Sequence, residues 1–200
     1  AVANAAASVA LSLAQVEHLI EQVERGDLRG GVENTAAALQ GLAGFVESGG
    51  GVVSARRTAL AYLGSTGERG GDVTFKALAA AFRCETAAGM RRTAGDALSD
   101  FGDPRAVPLA RAALLDPSKL VRWRASRILG ELGSEESVAT ALQQAERSEK
   151  AFEVAFEMAD AACRVRRRVA AVAAGNADEG PTGPIWKQIQ NGMADNGSTE

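Results

Sequence analysis

Residues 91–133, RRTAGDALSDFGDPRAVPLARAALLDPSKLVRWRASRILGELG, begin a pattern that the chain repeats. Setting Arg91 on Arg122, an offset of 31 residues, places Ala94 on Ala125, Leu98 on Leu129 and Phe101 on Leu132. The same shift places Gly102 on Gly133 and Val107 on Val138. The pieces between these marks are helix-length, and Asp103-Pro104 and Asp116-Pro117 close two of them. A period of this size, built from paired helices, is the mark of an α-solenoid. One such unit cannot bury its apolar face alone, so it must stack on neighbours. The fold class is therefore all-α, with helix pairs stacked along the chain.

The repeat extends in both directions. Arg56, Arg57, Thr58 and Ala59 recur as Arg91, Arg92, Thr93 and Ala94 at an offset of 35, so the loop at 65–71 is expected to be longer than its later equivalents. Downstream, Val121 falls on Val154 at an offset of 33, which puts Ala125 over Met158 and Leu129 over Ala162. Apolar spacing predicts helices over 11–25, 33–47, 54–64, 73–83, 88–101, 104–115, 119–131, 135–146 and 151–163, the last continuing to 174. Gly30 and Gly31 should stop the first of these, and Val73, Phe75, Leu78, Ala79 and Phe82 should face inward on the fourth. Asp72 is expected to cap the helix at 73–83. Asp103 is expected to cap the one at 104–115, with Pro104 at its first position. Pro108 must then fit near the first turn or bend that helix.

Three segments follow. Residues 1–48 are N-terminal helices, acidic because the first fifty residues hold six acids against two bases. Gly49, Gly50 and Gly51 make a flexible joint. It has neither the preceding strand nor the following lysine of a phosphate-binding loop. Residues 53–174 are the repeat solenoid, and 175–200 read as a flexible C-terminal tail. One stretch of that tail, 183–189, differs: Ile185, Trp186 and Ile189 can share one side of a short turn, so it is expected to dock. The expected receptor is the last repeats, near Phe152, Phe156 and Val169, or else a partner protein.

Composition sets the remaining bounds. With 46 % hydrophobic and 24 % charged residues the chain is globular, and its 4 % aromatic content suits thin, closely packed helices. A net charge of −3 predicts no strong attraction to nucleic acid. The uncharged run at 1–15 is too short and too weakly apolar for a transmembrane helix, so no membrane insertion is expected. It also lacks the basic end of a signal peptide. Cys84 and Cys163 show neither pairing nor metal spacing and are expected to be small core residues in a reducing compartment. The chain begins at Ala1 rather than methionine, which removal of a plastid or mitochondrial targeting peptide would explain; the cytoplasm is the alternative.

Chemistry finds little to stand on. His18 is the only histidine, and acid-base or nucleophilic catalysis needs partners that neither it nor the cysteines possess. Asp96, Asp100 and Asp103 form a carboxylate row whose expected role is structural, in caps and inter-repeat salt bridges. No catalytic residue, metal site, cofactor or small-molecule substrate is expected. The basic residues of 86–130 include Arg91, Arg92, Arg122, Arg124 and Arg127, and 131–160 then present eight acids against two bases. That alternation favours ion pairs between repeats, or a protein partner of mixed charge, over a phosphate backbone. The candidate partner-binding residues are Arg91, Arg92, Arg122, Trp123, Arg124, Arg127 and Trp186. Trp123 is expected to pack against the next repeat or the tail.

Val121-Arg122 opening a helix, Ala125 and Leu129 further along it, and the Gly102-Asp103-Pro104 corner resemble the HEAT-like repeats of the phycobilin lyases. Thr93–Asp96, Leu120–Ala125 and Gly183–Lys187, in that order, resemble more closely the C-terminal region of the conserved virulence factor C family. The resemblance covers roughly 53–189. It departs at residues 1–50, which match nothing in that family, and at Val154-Ala155, where valine-arginine is usual. It implies a right-handed, HEAT-like or armadillo-like α-solenoid of antiparallel helix pairs that makes protein contacts and has no enzymatic activity. The expected function is thus a non-enzymatic scaffold or assembly subunit. The alternative is a lyase-like accessory protein that binds a tetrapyrrole or its client.

Overall fold

Apolar side chains return every three or four residues along almost the whole chain, and the structure resolves that rhythm into helices. A computed structural model describes residues 11–29 and 32–175. Among these are nine α-helices: α1 (Leu13–Arg29), α2 (Val32–Ser48), α3 (Val53–Ser65), α4 (Gly71–Cys84), α5 (Ala88–Phe101), α6 (Ala106–Ala113), α7 (Lys119–Leu132), α8 (Glu136–Glu146) and α9 (Phe152–Ala173). The expected stop at Gly30-Gly31 and the tail segment 183–189 lie outside the described residues.

The chain forms two compact units, 1–101 and 102–200. In the first, α1, α3 and α5 pack side by side, α2 packs on α4, and the two layers close on each other. In the second, α7 packs directly on α9, with α6 against α7 and α8 against α9. The repeat alignment reads out as burial. Ala59, Ala94 and Ala125 are each wholly buried, as are Leu63, Leu98 and Leu129 one turn later.

Small residues set how closely the layer helices approach. A Cβ on Gly64 of α3 would lie 2.7 Å from the Ala97 backbone in α5. In the second unit a Cβ on Gly130 of α7 would lie 2.9 Å from the Ala161 Cβ in α9. The two contacts are equivalent in the repeat, so each unit stacks its inner helices through the same glycine–alanine notch. The aligned glycines at the helix ends serve different needs. Gly102 takes a φ of 77°, which L side chains rarely adopt. Gly133 is extended, and there a Cβ would meet Leu129 O at 2.5 Å and Val138 Cγ1 at 2.8 Å.

Several local expectations are corrected. Residues 67–70 are not an open loop but a 3-10 turn that runs straight into α4. The helix therefore starts two residues early, with Gly70 at its N-cap, and Asp72 lies in the first turn paired with Lys76 Nζ at 2.7 Å. Val73 is accordingly exposed rather than inward. Asp103 does not cap α6. Its Oδ1 accepts the Arg105 N–H at 2.8 Å and its carbonyl accepts Ala106 N–H at 2.9 Å, in a tight turn that takes up Pro104. Helix α6 then begins at Ala106, which makes Pro108 its third residue. Amides there have no partner within the helix, so the proline costs nothing. The glycine joint is packed at one point, because a Cβ on Gly51 would meet the Phe45 ring at 2.7 Å. Cys84 and Cys163 are both exposed free thiols and not core residues: one ends α4, the other sits on the side of α9 away from its packing stripe.

Candidate partner-binding face

The arginines of the repeat serve two purposes that the sequence does not separate. Arg122, in the first turn of α7, is committed to its own unit. Its Nε and Nη2 donate to the two carboxylate oxygens of Glu149 at 2.6 and 2.9 Å, and Nη1 donates to the carbonyls of Asp116 and Pro117 at 2.9 and 3.2 Å. Glu149 Oε1 also accepts the backbone N–H groups of Lys150 and Ala151, both at 2.9 Å, so one carboxylate joins α7 to the start of α9. Its side chain is 3 % exposed. The Arg122 guanidinium beside it holds the Glu149 carboxyl at about 2, and Arg122 is itself raised by that partner.

The first unit repeats the device. Arg56 of α3 pairs with Glu85, the residue that follows α4 and precedes α5. Arg91, equivalent to Arg122, donates Nη1 to the carbonyls of Glu85 and Thr86, both at 2.9 Å. Arg92 pairs with Asp96 at 3.2 Å along its own helix. Neither Glu85 nor Glu149 stands out in the sequence alone. The signal that could have found them is their position, an acid 27 to 29 residues after a repeat arginine.

The remaining candidates on α7 cluster around Trp123. Valines 121 and 154 are buried at equivalent positions of α7 and α9, so Trp123 and Phe156, two residues on, lie on the sides turned away from that core. Trp123 is half-buried beneath two guanidinium groups, Arg124 at 5.1 Å and Arg127 at 5.3 Å from its ring centre. Such contacts contribute about 0.5–1 kcal/mol each at an exposed site. Leu120, three residues before it on α7, is 49 % exposed. Lys119 pairs with Glu153 at 2.6 Å across the two helices, while Arg127 pairs with Glu131 at 3.1 Å within α7, and Arg164 with Glu157 at 2.6 Å and Asp160 at 3.0 Å within α9. Burial pushes the Glu157 carboxyl up in spite of Arg164. Lys119 holds the exposed Glu153 carboxyl down. The seventh candidate, Trp186, lies outside the described residues.

What this face can do is recognise, since it combines apolar rings with a mixed-charge rim. Among the described residues there is no group of three His, Cys, Asp or Glu able to hold a metal ion. His18 is exposed, with only Gln22 at 3.1 Å. A cleft of about 320 Å³ elsewhere in the second unit is lined by Pro104, Val107, Pro108, Leu132 and Val138, with Arg111, Ser134 and Glu135 as its polar groups. Among the described residues no helix is long and apolar enough to cross a membrane.

The family model for HEAT repeats matches residues 75–175, just over half of the chain, from within α4 to the end of α9. Comparison with curated proteins and with solved structures gives no match.

Proposed function

The chain belongs to the HEAT repeat family, and from that premise we propose that it is an assembly subunit that holds a protein partner on the α7–α9 face around Trp123. The coarse part of this reading, a non-catalytic helical-repeat scaffold, follows from the family and the helix stacking. The finer part rests on one observation: half-buried Trp123, with the Arg124 and Arg127 guanidinium groups against its ring, stands on α7 three residues from exposed Leu120. Tryptophan and arginine are the residues that most often carry interface energy. Arg122 and Arg91 are assigned to stapling the repeats, which leaves Trp123, Arg124 and Arg127 as the partner-facing set. The mixed-charge rim suits a protein and not a nucleic-acid backbone. Exposed free thiols at Cys84 and Cys163 suit a reducing compartment.

The test is purification of the tagged chain from its native cells beside a Trp123→Ala variant of matched melting temperature. A protein recovered in stoichiometric amount with the first and lost with the second supports the reading. A partner recovered equally with both places the contact elsewhere. The lyase-like alternative rests on repeat type alone. A saturable absorbance change on titration with a free bilin, unaffected by Trp123→Ala, would favour it instead.

A further inference from the structure

We infer that the outer side of α9 is a receptor for the chain's own segment Gly183–Ile189. This rests on the repeat reading of the second unit and extends it to a site of its own.

The argument begins with the stacking notch. Gly64 of α3 is covered by Ala97 of α5, and Gly130 of α7 by Ala161 of α9. The next equivalent position is Cys163, and it is exposed. Phe156, equivalent to Trp123, is 65 % exposed, and Phe152 one turn earlier is 81 % exposed, the two rings 6.3 Å apart. Phe156 and Cys163 thus lie on the side of α9 that corresponds to the side α7 turns to α9 at Gly130. Helix α9 also lacks the staple that would hold a further repeat, since the position of Arg56 and Arg122 is Ala155. Neighbouring exposed rings of this kind are apolar surface in water, which a covering segment would bury.

Length and composition point to one occupant. From Gly175 back to Phe156 is about 28 Å along a helix axis. Ten extended residues, the number in 176–185, span about 33 Å, enough for Trp186 to reach Phe156. Within 176–200 the bulky apolar residues Ile185, Trp186 and Ile189 are gathered in one place, behind Pro184. Across 180–194 the only charge is Lys187. On the half of α9 that carries the two phenylalanines, Glu153 is paired with Lys119, and Glu157 and Asp160 with Arg164, so apolar contact is what the segment would supply.

Two reporters test this in the full-length chain. In a Trp123→Phe chain Trp186 is the only tryptophan, and in a Cys84→Ser chain Cys163 is the only thiol. The expected Trp186 emission is blue-shifted from that of N-acetyltryptophanamide and moves back toward it on Phe152→Ser with Phe156→Ser. Alkylation of Cys163 is expected to be slow and to speed up several-fold on Trp186→Ala, with no change in helix content. Emission matching the free indole, with a Cys163 rate indifferent to Trp186→Ala, overturns the inference. Protection of Cys163 that grows with protein concentration also overturns it, because the occupant is then a second copy. Failure here, with partner recovery still dependent on Trp123, removes the docked segment and leaves the scaffold reading standing.

Discussion

Arg122 Nε lies 2.6 Å from Glu149 Oε2, and that one pair ties the first turn of α7 to the loop that launches α9. The carboxylate is almost wholly buried and accepts two backbone amides besides. Deleting one side strands the other charge, which typically costs about 3–5 kcal/mol. Arg122→Ala is therefore expected to lower stability by about 3 kcal/mol in urea unfolding. Arg122→Met combined with Glu149→Leu should cost less than the two singles added together.

The same pair sets an acid limit. Glu149 is held at about 2, below its ordinary 4.5, so the folded state binds its proton less readily than the unfolded chain. Its contribution is complete above about pH 4.5 and is lost as pH falls toward about 2, on the order of 3 kcal/mol in all. Glu157 runs the other way: burial raises it, so acidification from neutrality first relieves its charge. Stability should hold or rise slightly on going from about pH 7 to 5 and then fall steeply. Glu149→Gln should flatten the steep limb and Glu157→Gln the shallow one, as read by melting temperature against pH.

The arginine–carboxylate staples show what a sequence does and does not disclose here. Helix positions were legible because each helix has a buried stripe of its own: Ala94 and Leu98 repeat as Ala125 and Leu129 whatever surrounds them. The exposure of Phe152 and Phe156 was not, because their pattern is that of an inner helix, and among the described residues no helix follows α9 to pack on them. Asp72 and Asp103 resembled caps because aspartate before a helix usually is one. The start of each helix was decided instead by the adjoining turn, the 3-10 turn at 67–70 and the Asp103–Ala106 turn. Of the candidate face, Trp123 and its arginines were legible as a cluster. The division of labour between Arg122 and Arg127 was not, since it depends on Glu149, 27 residues away.

Two glycines in helices should respond to alanine with opposite signs. Gly64 faces Ala97 backbone atoms that cannot move aside, so Gly64→Ala is expected to destabilise by about 1–3 kcal/mol. Gly44 of α2 has nothing within 4 Å of an added Cβ. Gly44→Ala should therefore stabilise, by up to about 1 kcal/mol of helix propensity. Thermal melts of the two variants beside the parent check both.

Arg168 is buried at 8 % exposure and donates to the carbonyls of Gly133 and Gly130, the latter at 3.0 Å. Burial lowers its pKa. It satisfies the otherwise open C-terminal end of α7 and sits where the helix dipole favours a cation. Arg168→Met is expected to cost about 2–3 kcal/mol by leaving those carbonyls without a donor. Arg168→Lys should recover only part, since an ammonium cannot reproduce the fork.

The scaffold reading is tested most directly by photo-cross-linking in native cells from two positions of the second unit. A photoreactive residue replaces Trp123 on the inner layer or the exposed Gln144 on α8. A single partner protein cross-linked from position 123 and absent from position 144 is the expected outcome. The same partner captured from 144 and not from 123, or no discrete protein from either, would contradict a partner-binding face on α7 and α9.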